Sequence, residues 1–165
     1  MAVSAYEVIS TQTLGSDVAT VTFSSIPATY TDLVLVMAVK KSTSDGGYLA
    51  LRYNSDTATN YSATYLYGNG TSALSGRVAT EAFGRFGNAS TSNFENTIVS
   101  IQNYANATTF KTSISRSNVS SIYTLSYCTL WRKTPEVITS ITILTDSGNL
   151  VTGSTFTLYG VKAAA

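Results

Sequence analysis

Apolar and hydroxyl-bearing residues alternate along most of this chain at a period of two, the spacing of a pleated strand. From Glu136 to Lys162 the pattern predicts a strand, a turn and a second strand around which the remainder packs. Val137, Thr139, Ile141 and Ile143 fall on one side and Ile138, Ser140, Thr142 and Leu144 on the other. Both faces are therefore apolar or β-branched, as in an interior strand. Asp146-Ser147-Gly148-Asn149 suits a reversal, and Ser154 to Lys162 returns with Phe156 and Leu158 on one face. A strand ending at Tyr159-Gly160-Val161 is expected to have neighbours on both sides.

Earlier in the chain, Tyr6 to Leu14 alternates loosely and Gly15-Ser16-Asp17 turns it into Asp17 to Phe23, where Ala19, Val21 and Phe23 share a face. These two segments predict a hairpin. Pro27 interrupts pairing because it has no N–H to donate. Thr31 to Lys40 sets Leu33, Leu35, Met37 and Val39 against Val34, Val36 and Ala38, which predicts a strand that is central or covered by another subunit. Asp45-Gly46-Gly47 is a turn signal before Tyr48 to Asn54. Tyr61, Ala63, Tyr65 and Tyr67 then recur at a spacing of two, up to Gly68-Asn69-Gly70.

Thr71 to Ser92, with Gly76, Gly84 and Gly87 and with Arg77 and Arg85, predicts short strands and a long loop. Phe94 to Tyr104 and Thr108 to Ser117, where Phe110, Thr112 and Ile114 align, predict a hairpin about Ala105-Asn106-Ala107. Ile122 to Trp131 predicts a further strand, with Tyr123, Leu125, Tyr127 and Trp131 on one side. Helical spacing is nowhere sustained. The sum is an all-β chain, residues 1–165 as one domain, with roughly nine to eleven strands in an antiparallel β-sandwich of jelly-roll type. An up-and-down barrel is the alternative.

Composition sharpens this. Only 12% of the 165 residues are charged, against about 25% in an average domain, while Ser and Thr make up roughly three in ten. Hydroxyls and amides must cover the surface. Net charge is +1 and the basic residues are scattered, with Lys40-Lys41 and Arg132-Lys133 the only pairs, so no nucleic-acid footprint is expected. The single cysteine, Cys128, lies in an apolar run and is expected as a core thiol. No leader pattern or membrane-length apolar run is read, and the chain is expected to be made in a cytosol.

With no histidine and one cysteine, nitrogen or sulfur zinc sites and histidine-based triads are excluded, and no cofactor is expected. A glycosidase would need two facing carboxylates; Glu81, Glu95, Asp45 and Asp56 are the candidates, more simply read as solvated acids. Tyr61, Tyr65 and Tyr67, with Asn60 and Asn69, are candidates for a glycan or partner contact, since each ring offers a flat apolar face beside a hydroxyl. The plainer reading packs these rings in a core with their hydroxyls bonded at its margin. Asn60, Asn69, Asn88, Asn106 and Asn118 fit the glycosylation acceptor pattern, as chance allows in so hydroxyl-rich a chain.

Phe23-Ser24-Ser25-Ile26-Pro27-Ala28-Thr29-Tyr30-Thr31-Asp32-Leu33, then Leu51-Arg52-Tyr53-Asn54-Ser55-Asp56 and Asn60-Tyr61-Ser62, resembles a pattern of small virion proteins of tailed bacteriophages, notably those of cyanobacteria and other aquatic bacteria. Trp131-Arg132, Ile138-Thr139-Ser140-Ile141 and Gly153-Ser154-Thr155-Phe156-Thr157-Leu158-Tyr159-Gly160-Val161-Lys162 resemble the close of the same family. The resemblance spans nearly the whole chain and is weakest from Thr71 to Ser92. It implies a non-enzymatic β-sandwich on the virion, with no catalytic residue and no metal. Two roles follow: a capsid decoration or cement protein on the major capsid protein, as a homo-oligomer with a trimer favoured, or a head- or tail-fibre module reading host surface polysaccharide. Apolar chain ends order when covered, so Met1, Val3, Tyr6, Val161 and Lys162 are expected in a subunit contact.

Overall fold

The computed structural model describes residues 5–43, 46–120 and 122–162. Among these, twelve strands form and no helix: β1 (Tyr6–Thr13), β2 (Thr20–Phe23), β3 (Asp32–Val39), β4 (Gly47–Tyr53), β5 (Tyr61–Gly68), β6 (Ala73–Glu81), β7 (Gly84–Ala89), β8 (Glu95–Ile101), β9 (Lys111–Val119), β10 (Tyr123–Trp131), β11 (Ile141–Thr145) and β12 (Thr155–Val161). They make an antiparallel β-sandwich. One sheet has eight strands in the order β1-β12-β3-β8-β9-β10-β5-β6, the other four in the order β2-β11-β4-β7.

The pairs β1 with β12, β2 with β11, β3 with β8 and β4 with β7 are nested, and successive members alternate between the sheets. That is the connectivity of a jelly roll. Two antiparallel pairs are inserted into it: β5 and β6 between β4 and β7, and β9 and β10 between β8 and β11. Both insertions join the larger sheet, side by side, and double its width.

Nesting overturns two hairpins expected from local pattern. β1 and β2 lie in different sheets, tied by the Gln12 side-chain amide donating to the Thr22 carbonyl at 3.0 Å. β11 and β12 are likewise separated, although each is an interior strand as expected, β11 from its two apolar faces and β12 from the neighbours its position requires. Val137 to Ser140 is not strand. Asn54, at φ 49°, takes its backbone groups instead: Nδ2 donates to Val137 O at 2.7 Å, and Oδ1 accepts from Thr139 N at 2.8 Å and Ser140 N at 3.2 Å. The hairpin β8–β9 forms as read. Thr71 to Ser92 is more regular than its glycines suggest, because β6 and β7 find ladder partners in β5 and β4.

Leu33, Leu35, Met37 and Val39 of β3 meet Leu49, Leu51 and Tyr53 of β4 and Ile141 and Ile143 of β11 between the sheets, all essentially buried. Burial of such side chains contributes about 1.5–3 kcal/mol each. Farther along, the contact becomes backbone on small side chains: β7 lies on β9 and β10. A β-carbon at Gly84 would sit 2.7 Å from Thr129 Cγ2, and one at Gly87 3.0 Å from Ser117 Oγ. The buried face of β9 is a column of hydroxyls, Ser113, Ser115 and Ser117, of which Ser115 has no hydrogen-bond partner among the described residues.

Two substitutions in this seam have opposite expected signs in urea unfolding. Gly84→Ala should cost about 1–3 kcal/mol, because Thr129 is stiff and its hydroxyl already donates to the Arg85 carbonyl. Ser115→Ala removes a buried unsatisfied hydroxyl and should leave stability unchanged or raise it by up to about 1 kcal/mol.

Candidate functional site

Two surfaces stand out, one on the outer face of the large sheet and one where that sheet extends past the edge of the smaller one. The first is the outer face of the eight-stranded sheet. Cross-strand register aligns Val36, Ile98, Arg116, Ser126 and Leu66 in one row and Val34, Ser100, Ile114, Cys128 and Thr64 in the next. Between β3 and β6 this face forms a trough of about 950 Å³ lined by Val36, Ile98, Leu66 and Leu74, with Arg116 and Asn118 among them. Val36, Leu66 and Ile114 are exposed by 41%, 62% and 51%.

β9 makes the point most sharply. Ile114, and Phe110 just before the strand, face out beside Thr112, Arg116 and Asn118, while its serines face the core. Cys128, expected inside, is exposed on the same outer face, because the parity of β10 gives the interior to Leu125, Tyr127, Thr129 and Trp131.

The second surface is on the inner face. The four-stranded sheet ends at β7, so β5 projects beyond it. Tyr65 and Tyr67 of β5 and Tyr123 and Tyr127 of β10 pave this ledge, packed on Ala63 and Leu125. Their rings hold one another: Tyr65 to Tyr127 at 5.2 Å, Tyr67 to Tyr123 at 5.6 Å and Tyr65 to Tyr67 at 6.2 Å. Tyr65 also lies over Gly76 of β6, where a β-carbon would collide with its ring.

With Gly47, Tyr48, Arg85, Asn88 and Asp146 these rings line a crevice of about 310 Å³. The Arg85 guanidinium stands 4.1 Å over the Tyr48 ring, and its Nε donates to Glu81 at 2.9 Å. Asn88 Nδ2 donates to the Tyr123 hydroxyl at 3.1 Å. Burial pushes the Tyr127 phenol up to about 12, and it holds the Tyr123 phenol above its ordinary value against the Asn88 hydrogen bond.

The five residues singled out as a sugar or partner contact are thus divided. Tyr61 is fully buried, stacked on Trp131 at 6.2 Å with its hydroxyl accepting from Tyr53 N at 2.9 Å, so it offers no face to a ligand. Tyr65 and Tyr67 do share a half-buried face. Asn60 and Asn69 lie at opposite ends of β5: the Asn60 amide donates to Asp56 at 2.9 Å, and Asn69 Oδ1 caps the β5–β6 turn through Thr71 N at 3.1 Å and Ser72 N at 2.8 Å. Neither belongs to the ledge. Alternation on β10 already aligned Tyr123 and Tyr127; nothing local pointed to Arg85 or Asn88, which β7 carries in from a separate part of the chain.

The acids have separate partners. Glu81 pairs with Arg85, and Glu95, buried, accepts from Ser120 N at 2.7 Å and from the Asn118 amide. Asp45 lies outside the described residues. Asp56 accepts from the Trp131 indole N–H at 2.6 Å and from Ala58 N at 2.9 Å. Among the described residues no group of acids and cysteine is arranged to hold a metal ion. Two lysines are fully covered: Lys41 pairs with Asp146, and Lys111 donates to the carbonyls of Thr109 and Asn106, desolvation holding its ammonium below the ordinary value.

At one edge of the large sheet, Tyr6 on β1 lies opposite Val161 on β12, and Lys162 pairs with Glu7 through its side chain and with Ala5 O through its N–H at 2.9 Å. Tyr6 is 55% exposed beside Tyr159. Met1 and Val3 lie outside the described residues.

No family model matches the sequence, and no curated protein does. Among solved structures, a chain of the "Structure of infectious bursal disease virus Gt strain" aligns with 95% of this chain at 13% identity and a TM-score of 0.17. This chain spans 42% of that one. At such a TM-score the likeness carries no argument about fold or function.

Trp131 is the only tryptophan, so its emission reports on Asp56. Desolvation pushes the Asp56 carboxyl upward, but hydrogen bonds from Asn60, Trp131 and Ala58 outweigh it and hold the carboxyl below its ordinary 3.8. A depressed carboxylate contributes stability that is present above the unfolded value and lost as pH falls through the folded one. Trp131 emission is therefore expected to hold steady from neutral pH down to about 3.8 and to change only below it. The same titration of Asp56→Asn should lack that acid step.

Proposed function

We propose that this protein is a non-enzymatic structural protein of a tailed-bacteriophage virion, a capsid decoration or cement protein that applies the outer face of its eight-stranded sheet to the major capsid protein. The observation that carries the reading is the apolar cluster exposed on that face, where Ile114 of β9, Leu66 of β5 and Val36 of β3 are turned outward while the serines of β9 are turned to the core. The sequence resemblance at both ends of the chain supplies the virion setting.

Such a face suits a cement. Contiguous exposed apolar area on a soluble subunit marks an interaction surface. Here the apolar residues lie among hydroxyls and amides, with Arg116 the one charge lining the trough, so covering it desolvates few ions. A homo-oligomer, with a trimer preferred, would repeat the face and bridge neighbouring capsid subunits through many small contacts. The edge that brings Tyr6, Val161 and Lys162 together is then available for contact between copies.

Cys128 provides the test on the natural sequence. A maleimide should react freely with the isolated protein and at least about tenfold more slowly once the protein is bound to empty capsids. Leu66→Glu with Ile114→Glu should abolish co-sedimentation with those capsids while leaving the melting temperature nearly unchanged, since both side chains are already exposed. Equal labelling in the two states, or undiminished co-sedimentation of the double variant, would remove the outer face from the interface.

A further inference from the structure

We infer that the tyrosine ledge beside β7 is a binding site for a neutral hexopyranose saccharide, opening on the inner face of the large sheet and independent of the capsid reading. Four tyrosines, two from each inserted strand pair, meet where the smaller sheet stops, and the crevice they line has about 310 Å³ of space, the lower end of the range for small-ligand sites.

The shape of the ledge is set before any ligand arrives. Tyr65 is held against Tyr127 and over Gly76, and Tyr67 against Tyr123, so little rotamer freedom is left to lose on binding. Tyr65 and Tyr67 are only half buried, which leaves ring surface open to the C–H face of a pyranose. Their hydroxyls have no hydrogen-bond partner among the described residues, whereas those of Tyr123 and Tyr127 are engaged with Asn88. The site thus combines apolar ring faces with free hydroxyl edges, the pairing a sugar ring itself presents.

Charge selects the class of sugar. Arg85 is neutralised by Glu81 and spread over Tyr48, and Asp146 is neutralised by buried Lys41. Among the described residues, neither an uncompensated cation for a carboxylated or sulfated sugar nor an uncompensated anion for an amino sugar lines the crevice. Hydroxyl-only saccharides fit both the polarity and the balance of the site.

The probes are neutral oligosaccharides of glucose, galactose, mannose and rhamnose, with polygalacturonate fragments and a polyproline peptide alongside, followed by saturation-transfer NMR and tyrosine fluorescence on the full chain. At least one neutral oligosaccharide should bind, and the polygalacturonate and polyproline should bind more weakly. Tyr67→Ala should weaken binding by at least about tenfold. Tyr67→Phe, which keeps the ring and its packing, should stay folded and retain most of the affinity, and Leu66→Ser on the opposite face should change nothing. Silence across the neutral panel, preference for the anionic or polyproline probe, or unchanged affinity in Tyr67→Ala would each overturn the assignment. Because Tyr67 also lines the outer trough, the two readings are separated with Tyr65→Ala, which lines the crevice alone: it should lose saccharide binding and co-sediment normally with empty capsids.

Discussion

Eight strands set against four leave part of the inner face of the larger sheet without a partner layer. At about 4.8 Å between neighbours, the larger sheet is roughly 34 Å across and the smaller roughly 14 Å. The nested jelly-roll pairs match one another across the sandwich, and the mismatch comes entirely from the inserted pairs β5–β6 and β9–β10. Those insertions have two uncovered sides: the outer face, where Ile114 and Leu66 are exposed, and the inner step beyond β7, where the tyrosines gather. The inserted pairs therefore create the inner ledge outright and widen the outer face that β3 and β8 already present.

Where the insertions are covered, the contact differs in kind from the main core. The first part is branched and aromatic side chains interdigitating between β3, β4, β11 and β12. The second is the backbone of β7 resting on serines and a threonine, with Gly84 and Gly87 allowing the approach. Trp131, Tyr53 and Tyr61 fill the junction, and the Trp131 indole reaches Asp56 at the margin. The Tyr53 hydroxyl lies against Ser113 in this seam, and burial raises its phenol far above the ordinary value. Close approach is obtained at the expense of hydrogen bonding, which is tolerable because a hydroxyl costs far less to bury than a charge.

Much of the fold was legible. Two-faced apolar runs placed β3 and β11 inside sheets, the need of Tyr159-Gly160-Val161 for neighbours on both sides placed β12 there, and turn chemistry at Ala105-Asn106-Ala107 gave the β8–β9 hairpin. The hairpins expected at Gly15-Ser16-Asp17 and Asp146-Ser147-Gly148-Asn149 did not form, because a turn signal says that the chain reverses but not into which sheet it goes. Cys128 was misplaced for a related reason: in an apolar run such as Tyr123 to Trp131, the parity facing the core depends on what lies across the sandwich. Tyr65 and Tyr67 were visible as candidates, and Tyr61, at the same spacing, became core because β4 and β10 close over it.

By itself, then, the sequence determined the all-β character, the antiparallel layering, the interior strands and the hydroxyl-rich, weakly charged surface, since these depend on period, propensity and composition within a few residues. Tertiary structure alone decided the nested pairing, the orientation of β9 with its serines inward, and the meeting of Arg85 and Asn88 with tyrosines from two other strands. Those features join segments far apart in sequence, and the free energy that selects them comes from packing across the sandwich, which no local pattern contains.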